Sequence, residues 1–123
     1  MRGNLLTGMC VLVVEDEYLI ALEAQRMIEE AGAEQVMLAN SVGDVRKLLA
    51  DGPQIDAVVL DLKLGDEDAL PLVAEFVGRG ITMLVTTGLD AAAPEGVACL
   101  TKPYRDSDLV DAISQLVHRK QQR

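Results

Sequence analysis

The sequence predicts an α/β fold: a mainly parallel sheet of five strands with helices on both faces. Two observations carry that expectation. Along the 123 residues, short β-branched apolar runs alternate with longer segments of helical periodicity, the order expected of strands joined by crossover helices. The central runs are also apolar almost without interruption, Cys-Val-Leu-Val-Val at 10–14 being the clearest. A strand reads that way when both of its faces are covered. Right-handed crossovers then distribute the helices over the two faces, a doubly wound arrangement.

Each element follows from its residues. After the strand at 10–14, residues 17–31 place Ile20, Ala24, Met27, Ile28 and Ala31 on one helical stripe, which Gly32 ends. Residues 35–39 form a shorter and more polar strand, suited to an edge. Ser41 caps a helix carrying Val42, Val45, Leu48 and Leu49, and Gly52-Pro53 terminates it. Residues 55–60 are a second buried strand, and 61–68 a polar loop. The next helix has Leu72, Val73, Phe76 and Val77 on one side and Pro71 in its first turn, with Gly78 and Gly80 flanking its exit. A further central strand covers 81–86. Residues 89–96, rich in Ala with Pro94 and Gly96, suit only a short or mobile helix. The fifth strand covers 97–101, and Leu109, Ile113, Leu116 and Val117 mark a last helix to about His118.

Composition bounds the function. With 50% hydrophobic and 25% charged residues the chain can build a core, which excludes a disordered tail, a fibre and a disulfide-dependent scaffold. The expected organisation is one domain over 1–123, its core at about 9–118, with no room for an output domain after His118. No apolar run reaches the ~20 residues of a membrane span, and the amino terminus does not read as a secretory signal. The expected location is the cytoplasm, with no membrane partner. A net charge of −9 disfavours a nucleic-acid surface, because phosphates are neutralised by Lys and Arg. With only three aromatics, Tyr18, Phe76 and Tyr104, stacking on bases or sugars is not expected either. Cys10 and Cys99 lie in apolar runs far apart and are expected to be buried free thiols. His118 is the only histidine, so neither a histidine-based zinc site nor a Ser-His-Asp triad can be assembled.

Ligands of such sheets bind outside the carboxyl ends of the strands. Those ends supply Glu15-Asp16-Glu17, Asp61, Thr86-Thr87-Gly88 and Thr101-Lys102-Pro103. Crowded carboxylates repel unless a cation sits among them, and oxygen ligands in a partly hydrated site suit Mg²⁺. A metal, Lys102 and the Thr87 hydroxyl together suit the oxygens of a phosphoryl group, and Asp61 can act as nucleophile to give an aspartyl phosphate. Taken singly, each acidic residue reads as a solvated loop charge. Four strand ends supplying complementary groups read as a site.

The ordered set resembles the receiver domain of two-component response regulators, from about Cys10 to Val117. Val11-Leu12-Val13-Val14-Glu15-Asp16-Glu17 is similar to the family's first strand and acidic pair, and Asp61 in Val-Val-Leu-Asp-Leu to its phospho-acceptor. Thr87-Gly88 and Lys102-Pro103-Tyr104 complete the signature. The resemblance implies a flavodoxin-like three-layer fold of strand order 2-1-3-4-5. It implies Mg²⁺ held by Asp16, Asp61 and the backbone carbonyl of Lys63, with Glu15 helping directly or through water. It implies a cis Lys102-Pro103 bond and a phosphoryl donor that is a histidine kinase or a histidine phosphotransfer protein. The protein would be a switch rather than an enzyme. It would signal by contact with a downstream protein, a kinase module in the same parent chain or a second copy of itself, through the fourth and fifth helical segments and the last strand.

Four departures stand out. Glu15 replaces the commoner aspartate, and Gly65 stands where a proline often does. Cys99 occupies the position of the usual switch aromatic, three before the lysine, and Leu89 departs from an atypical subclass that also lacks that ring. Activation through mobility of 89–96 is therefore expected. Lys63 is either a solvated loop lysine or a side chain that reaches the phosphoryl group. Two rivals remain. One is a pseudo-receiver that binds without phosphorylation. The other is a haloacid-dehalogenase-type phosphatase, opposed by Lys63 where a second aspartate belongs.

Overall fold

The computed structural model describes residues 5–88 and 94–121. In chain order the elements are β1 (Cys10–Val14), α1 (Tyr18–Glu30), β2 (Gln35–Ala39), α2 (Val42–Asp51), β3 (Ala57–Asp61), β4 (Lys63–Leu64) and β5 (Glu67–Asp68). They continue with α3 (Leu70–Gly78), β6 (Thr82–Thr87), β7 (Cys99–Thr101) and α4 (Asp106–Gln121). Five strands form one sheet in the order β2-β1-β3-β6-β7, every neighbour parallel. Counting sheet strands alone, this is the expected order 2-1-3-4-5.

Two apolar cores lie on opposite faces, and strand alternation feeds both. Leu12, Val14, Val58 and Leu60 pack with Val45 of α2 and with Leu72, Val73 and Phe76 of α3. Val11, Val13, Ala57 and Val59 pack instead with Ala24, Met27 and Ile28 of α1 and with Leu109, Val110 and Ile113 of α4. The uninterrupted apolar run at 10–14 is thus needed on both sides at once. β2 lies at an edge of the sheet and is only half-buried, as its polarity suggests.

The caps act as the residue types predict. The Ser41 hydroxyl accepts the Asp44 N–H at 3.1 Å and starts α2. At its end, a Cβ on Gly52 would come within 2.6 Å of the Leu48 carbonyl oxygen, so only glycine fits. Ser41→Ala is expected to cost about 1 kcal/mol of stability, read from a urea melt, because one helix N–H loses its acceptor. A change below a few tenths would show that water replaces the hydroxyl without loss.

The structure differs from the sequence reading in five places. The loop at 61–68 contains an antiparallel hairpin, β4–β5, closed by Gly65-Asp66. Gly65 has φ +60 and no non-glycine residue among those described has positive φ, which suits a two-residue turn with glycine at its first central position. β3 starts at Ala57 rather than Ile55, since the Asp56 carboxylate takes the Cys10 N–H at 2.8 Å in place of a ladder carbonyl. β7 begins only at Cys99, because the Val97 N–H turns back to the Pro94 carbonyl. Val77 is 60% exposed: it lies past the buried stripe of α3 that Phe76 completes. Cys10 is buried, but Cys99, on the edge strand β7, is exposed; both are free thiols. The expected short helix at 89–96 lies mostly outside the described residues. Pro94 to Val97 form a turn with Gly96 at φ +79. No helix among the described residues is long and apolar enough to cross a membrane.

Candidate functional site

Strand register brings the charged residues to one edge of the sheet. Val14 closes the pairing of β1 with both β2 and β3, and the Glu15 N–H continues it to the Ala39 carbonyl. Glu15 and Asp16 therefore leave the sheet together. Asp61 is the last residue of β3, level with Thr86 of β6. The β6–β7 pairing runs to Thr87 and Thr101 and is extended by the Lys102 N–H to the Thr87 carbonyl at 2.8 Å. The Lys102–Pro103 peptide is cis, as the resemblance implies.

The Lys102 ammonium donates to Glu15 Oε2 and to Asp61 Oδ2, each at 3.0 Å. The second oxygen of each carboxylate is held by the backbone. Glu15 Oε1 accepts the Glu17 N–H at 3.2 Å, and Asp61 Oδ1 accepts the Lys63 N–H at 3.1 Å. Glu15 and Asp61 are buried, only 5% and 7% exposed, whereas Asp16 is exposed. Burial pushes the Glu15 carboxyl up to about 7, against the opposing pull of Lys102, with the Asp61 charge adding to the rise. Burial works to lower the Lys102 ammonium, but hydrogen bonds to Glu15 and Asp61 outweigh it and leave it at about 12.

The donor set fits Mg²⁺. One carboxylate oxygen from each of Glu15, Asp16 and Asp61 lies within 4.8 Å of the others. Octahedral ligands at about 2.1 Å from an ion stand roughly 3–4 Å apart, so small side-chain adjustments suffice. Lys63 reaches Asp61 through its N–H, and its side chain is exposed. Thr87 is buried at the end of β6, with its hydroxyl 3.5 Å from Cys99 Sγ. It is not among the hydrogen-bond partners of Asp61, which are the Lys63 N–H and the Lys102 ammonium. Tyr104 is half-buried against the α1–α4 core, as a packing residue.

Two features of the site have no counterpart in the sequence reading. The β4–β5 turn lies over the acidic residues, since a Cβ on Gly65 would sit 3.6 Å from Asp16 Oδ2. Glu67 Oε1 accepts the Val42 N–H at 3.2 Å and ties that hairpin to the start of α2. The signal for the first was present as Leu-Gly-Asp-Glu, a glycine-led two-residue turn.

Fold and pocket together define a doubly wound α/β protein with buried carboxylates and one lysine at the carboxyl edge of its sheet. No protein-family model matches the chain. It is 31% identical over 122 residues to the transcriptional regulatory protein PdtaR of Mycobacterium tuberculosis, across 89% of this chain and 57% of that protein. The chain thus spans little more than half the length of this relative. Among solved structures, SdrG from Sphingomonas melonis is 28% identical with a TM-score of 0.76, covering 93% of this chain and 98% of that one. A response regulator receiver domain protein from Clostridium thermocellum is 25% identical with a TM-score of 0.79, again covering 93% and 98%. The chain thus has the fold of the response-regulator receiver domains among these solved structures.

Proposed function

We propose that the protein is a phospho-accepting switch that takes a phosphoryl group from a phosphohistidine onto Asp61. The single observation that carries this is the Lys102 ammonium at 3.0 Å from both Glu15 and Asp61: one cation held between two buried carboxylates. An Asp61 oxygen attacks phosphorus, the P–N bond to the donor imidazole breaks, and an acyl phosphate forms. Lys102 then follows the charge from the carboxylate to the phosphoryl oxygens, with Thr87 reaching the same group after a side-chain shift. Mg²⁺ held by Glu15, Asp16, Asp61 and the Lys63 carbonyl supplies further charge neutralisation when bound. Water attack on phosphorus later releases phosphate and restores the carboxylate.

The protein acts on itself alone and is a switch rather than a metabolic enzyme. Its donor is a histidine kinase or phosphotransfer protein, its readout protein–protein contact, and its place the cytoplasm. A protein donor is favoured by exposed apolar surface at the mouth of the site. Tyr18 and Leu19 open α1, and Leu19 borders a groove that also includes Met27, Lys102 and Tyr104.

Incubation with Mg²⁺ and acetyl phosphate is expected to add the mass of one phosphoryl group. The gain is expected to vanish without Mg²⁺ and in Asp61→Asn. Absence of gain with both acetyl phosphate and a phosphohistidine donor would replace this reading by a binding module that keeps the fold without phosphorylation.

A further inference from the structure

We infer that Glu67 is a positioning residue, a latch that fastens the β4–β5 hairpin across the acidic pocket and so holds the Lys63 amide on Asp61. The inference rests on the reading of Asp61 as phospho-acceptor but is carried by separate geometry. β4 follows Asp61 after one residue, and its first residue, Lys63, donates its N–H to Asp61 Oδ1 at 3.1 Å. Across the hairpin Lys63 pairs with Asp68 and Leu64 with Glu67. The turn between them brings Gly65 against the Asp16 carboxylate.

Three attachments hold this hairpin, and they differ in kind. Leu64 is buried in the core beneath it. At its base the Ala69 N–H bonds to the Leu62 carbonyl at 3.1 Å, and Asp68 caps the start of α3 through the Leu70 N–H at 2.9 Å. Glu67 supplies the third, reaching away from its own hairpin to the Val42 N–H. Val42 is the first residue of α2, and a first-turn N–H has no partner within its helix. Ser41 serves the Asp44 N–H instead, leaving Val42 to an outside acceptor. A carboxylate there also meets the positive end of the helix dipole, so the contact is favoured twice.

Asp16 follows β1, and β1 lies between β2 and β3 in the sheet. The latch joins the segment after β2 to the segment after β3, and thus closes over the end of β1. With it released, the hairpin is held only at its base and by Leu64. The Lys63 amide, two residues beyond the base strand β3, then loses its fixed place on Asp61. Orientation of that carboxylate would rest on Lys102 alone, and Lys102 is the group that must move during phosphoryl transfer.

The test compares Glu67→Ala with Glu67→Gln, which keeps an acceptor oxygen and loses only charge. Glu67 lies on the surface and both variants are expected to fold. Amide exchange followed by NMR in ion-free protein is expected to speed about 3- to 10-fold at both Val42 and Lys63 in Glu67→Ala, the loss expected for one ordinary solvent-exposed hydrogen bond. Glu67→Gln is expected to stay within about twofold of the parent at both amides, since an acceptor is retained. The lifetime of the aspartyl phosphate is expected to change in Glu67→Ala and to be restored in Glu67→Gln. Faster exchange at Val42 with none at Lys63 would overturn the inference, reducing Glu67 to a helix cap. Exchange at Lys63 that follows the two variants, in a protein that accepts no phosphoryl group, would uphold the latch and overturn the acceptor reading.

Discussion

Phe76→Ala is expected to lower the stability of the domain by about 3–5 kcal/mol, the range for truncating a fully buried aromatic ring. Phe76 has no exposed surface and packs among Leu12, Val14, Leu60, Leu72 and Val85, the side chains between β1, β3, β6 and α3. Its loss leaves a void under β1, which leads into Glu15, and β3, which ends in Asp61. Domains of this size have only about 5–15 kcal/mol in total, so the variant should show a marked fall in its urea midpoint with the slope of the transition unchanged. The neighbouring Val77→Ala is the control. Val77 is largely exposed on the same helix, and its loss is expected to fall within about 0.5 kcal/mol. Equal losses at the two positions would contradict the burial of α3 described above.

The second large effect concerns Glu15 and pH. In the unfolded chain this carboxyl titrates near 4.5, and in the folded protein burial raises it to about 7. Between those values the folded state binds the proton more tightly than the unfolded state. Its contribution to ion-free stability is therefore full below the unfolded value and is lost as pH rises through about 7, remaining level above that. Glu15→Gln removes the ionisation and keeps an oxygen that can accept from Lys102. At pH 8 without Mg²⁺ the variant is expected to be more stable than the parent, by at most about 3 kcal/mol, with no decline from pH 5 to 8 arising at this residue. Added Mg²⁺ is expected to reverse the order, since the parent offers an anionic ligand that the variant lacks. Thermal melts at pH 5 and pH 8, with and without Mg²⁺, test both parts. A variant less stable than its parent at pH 8 without Mg²⁺ would mean that the Lys102 pairing outweighs the burial of the charge.

The position of Glu15 illustrates what could be read from the chain and what could not. That a carboxylate follows Val14 is written in the sequence, and the apolar run at 10–14 predicts the strand that leads into it. That this carboxylate is buried, while its neighbour Asp16 is exposed, depends on how α1 leaves the sheet. Cys99 makes the same point from the other side. Its apolar surroundings in sequence suggest burial, but β7 is an edge strand of three residues and leaves the thiol exposed. Val77 departs from its apolar stripe for a related reason. A stripe of Leu72, Val73, Phe76 and Val77 covers more of the helix circumference than the sheet can cover, and the last member turns to solvent.

The sequence by itself determined the doubly wound fold, the order of its sheet strands once the family resemblance was seen, the cap at Ser41 and the strand ends that carry Glu15, Asp61 and Lys102. These follow from local periodicity, from turn chemistry and from the rule that strands buried on both faces must be apolar throughout. The tertiary structure alone decided which charges meet. Lys102 bridges Glu15 and Asp61 across separations of 87 and 41 residues, and Glu67 reaches Val42 across 25. Such contacts depend on the register of neighbouring strands and the path of a hairpin. A run of residues carries its own periodicity, but the distance between two distant side chains exists only once the sheet has closed.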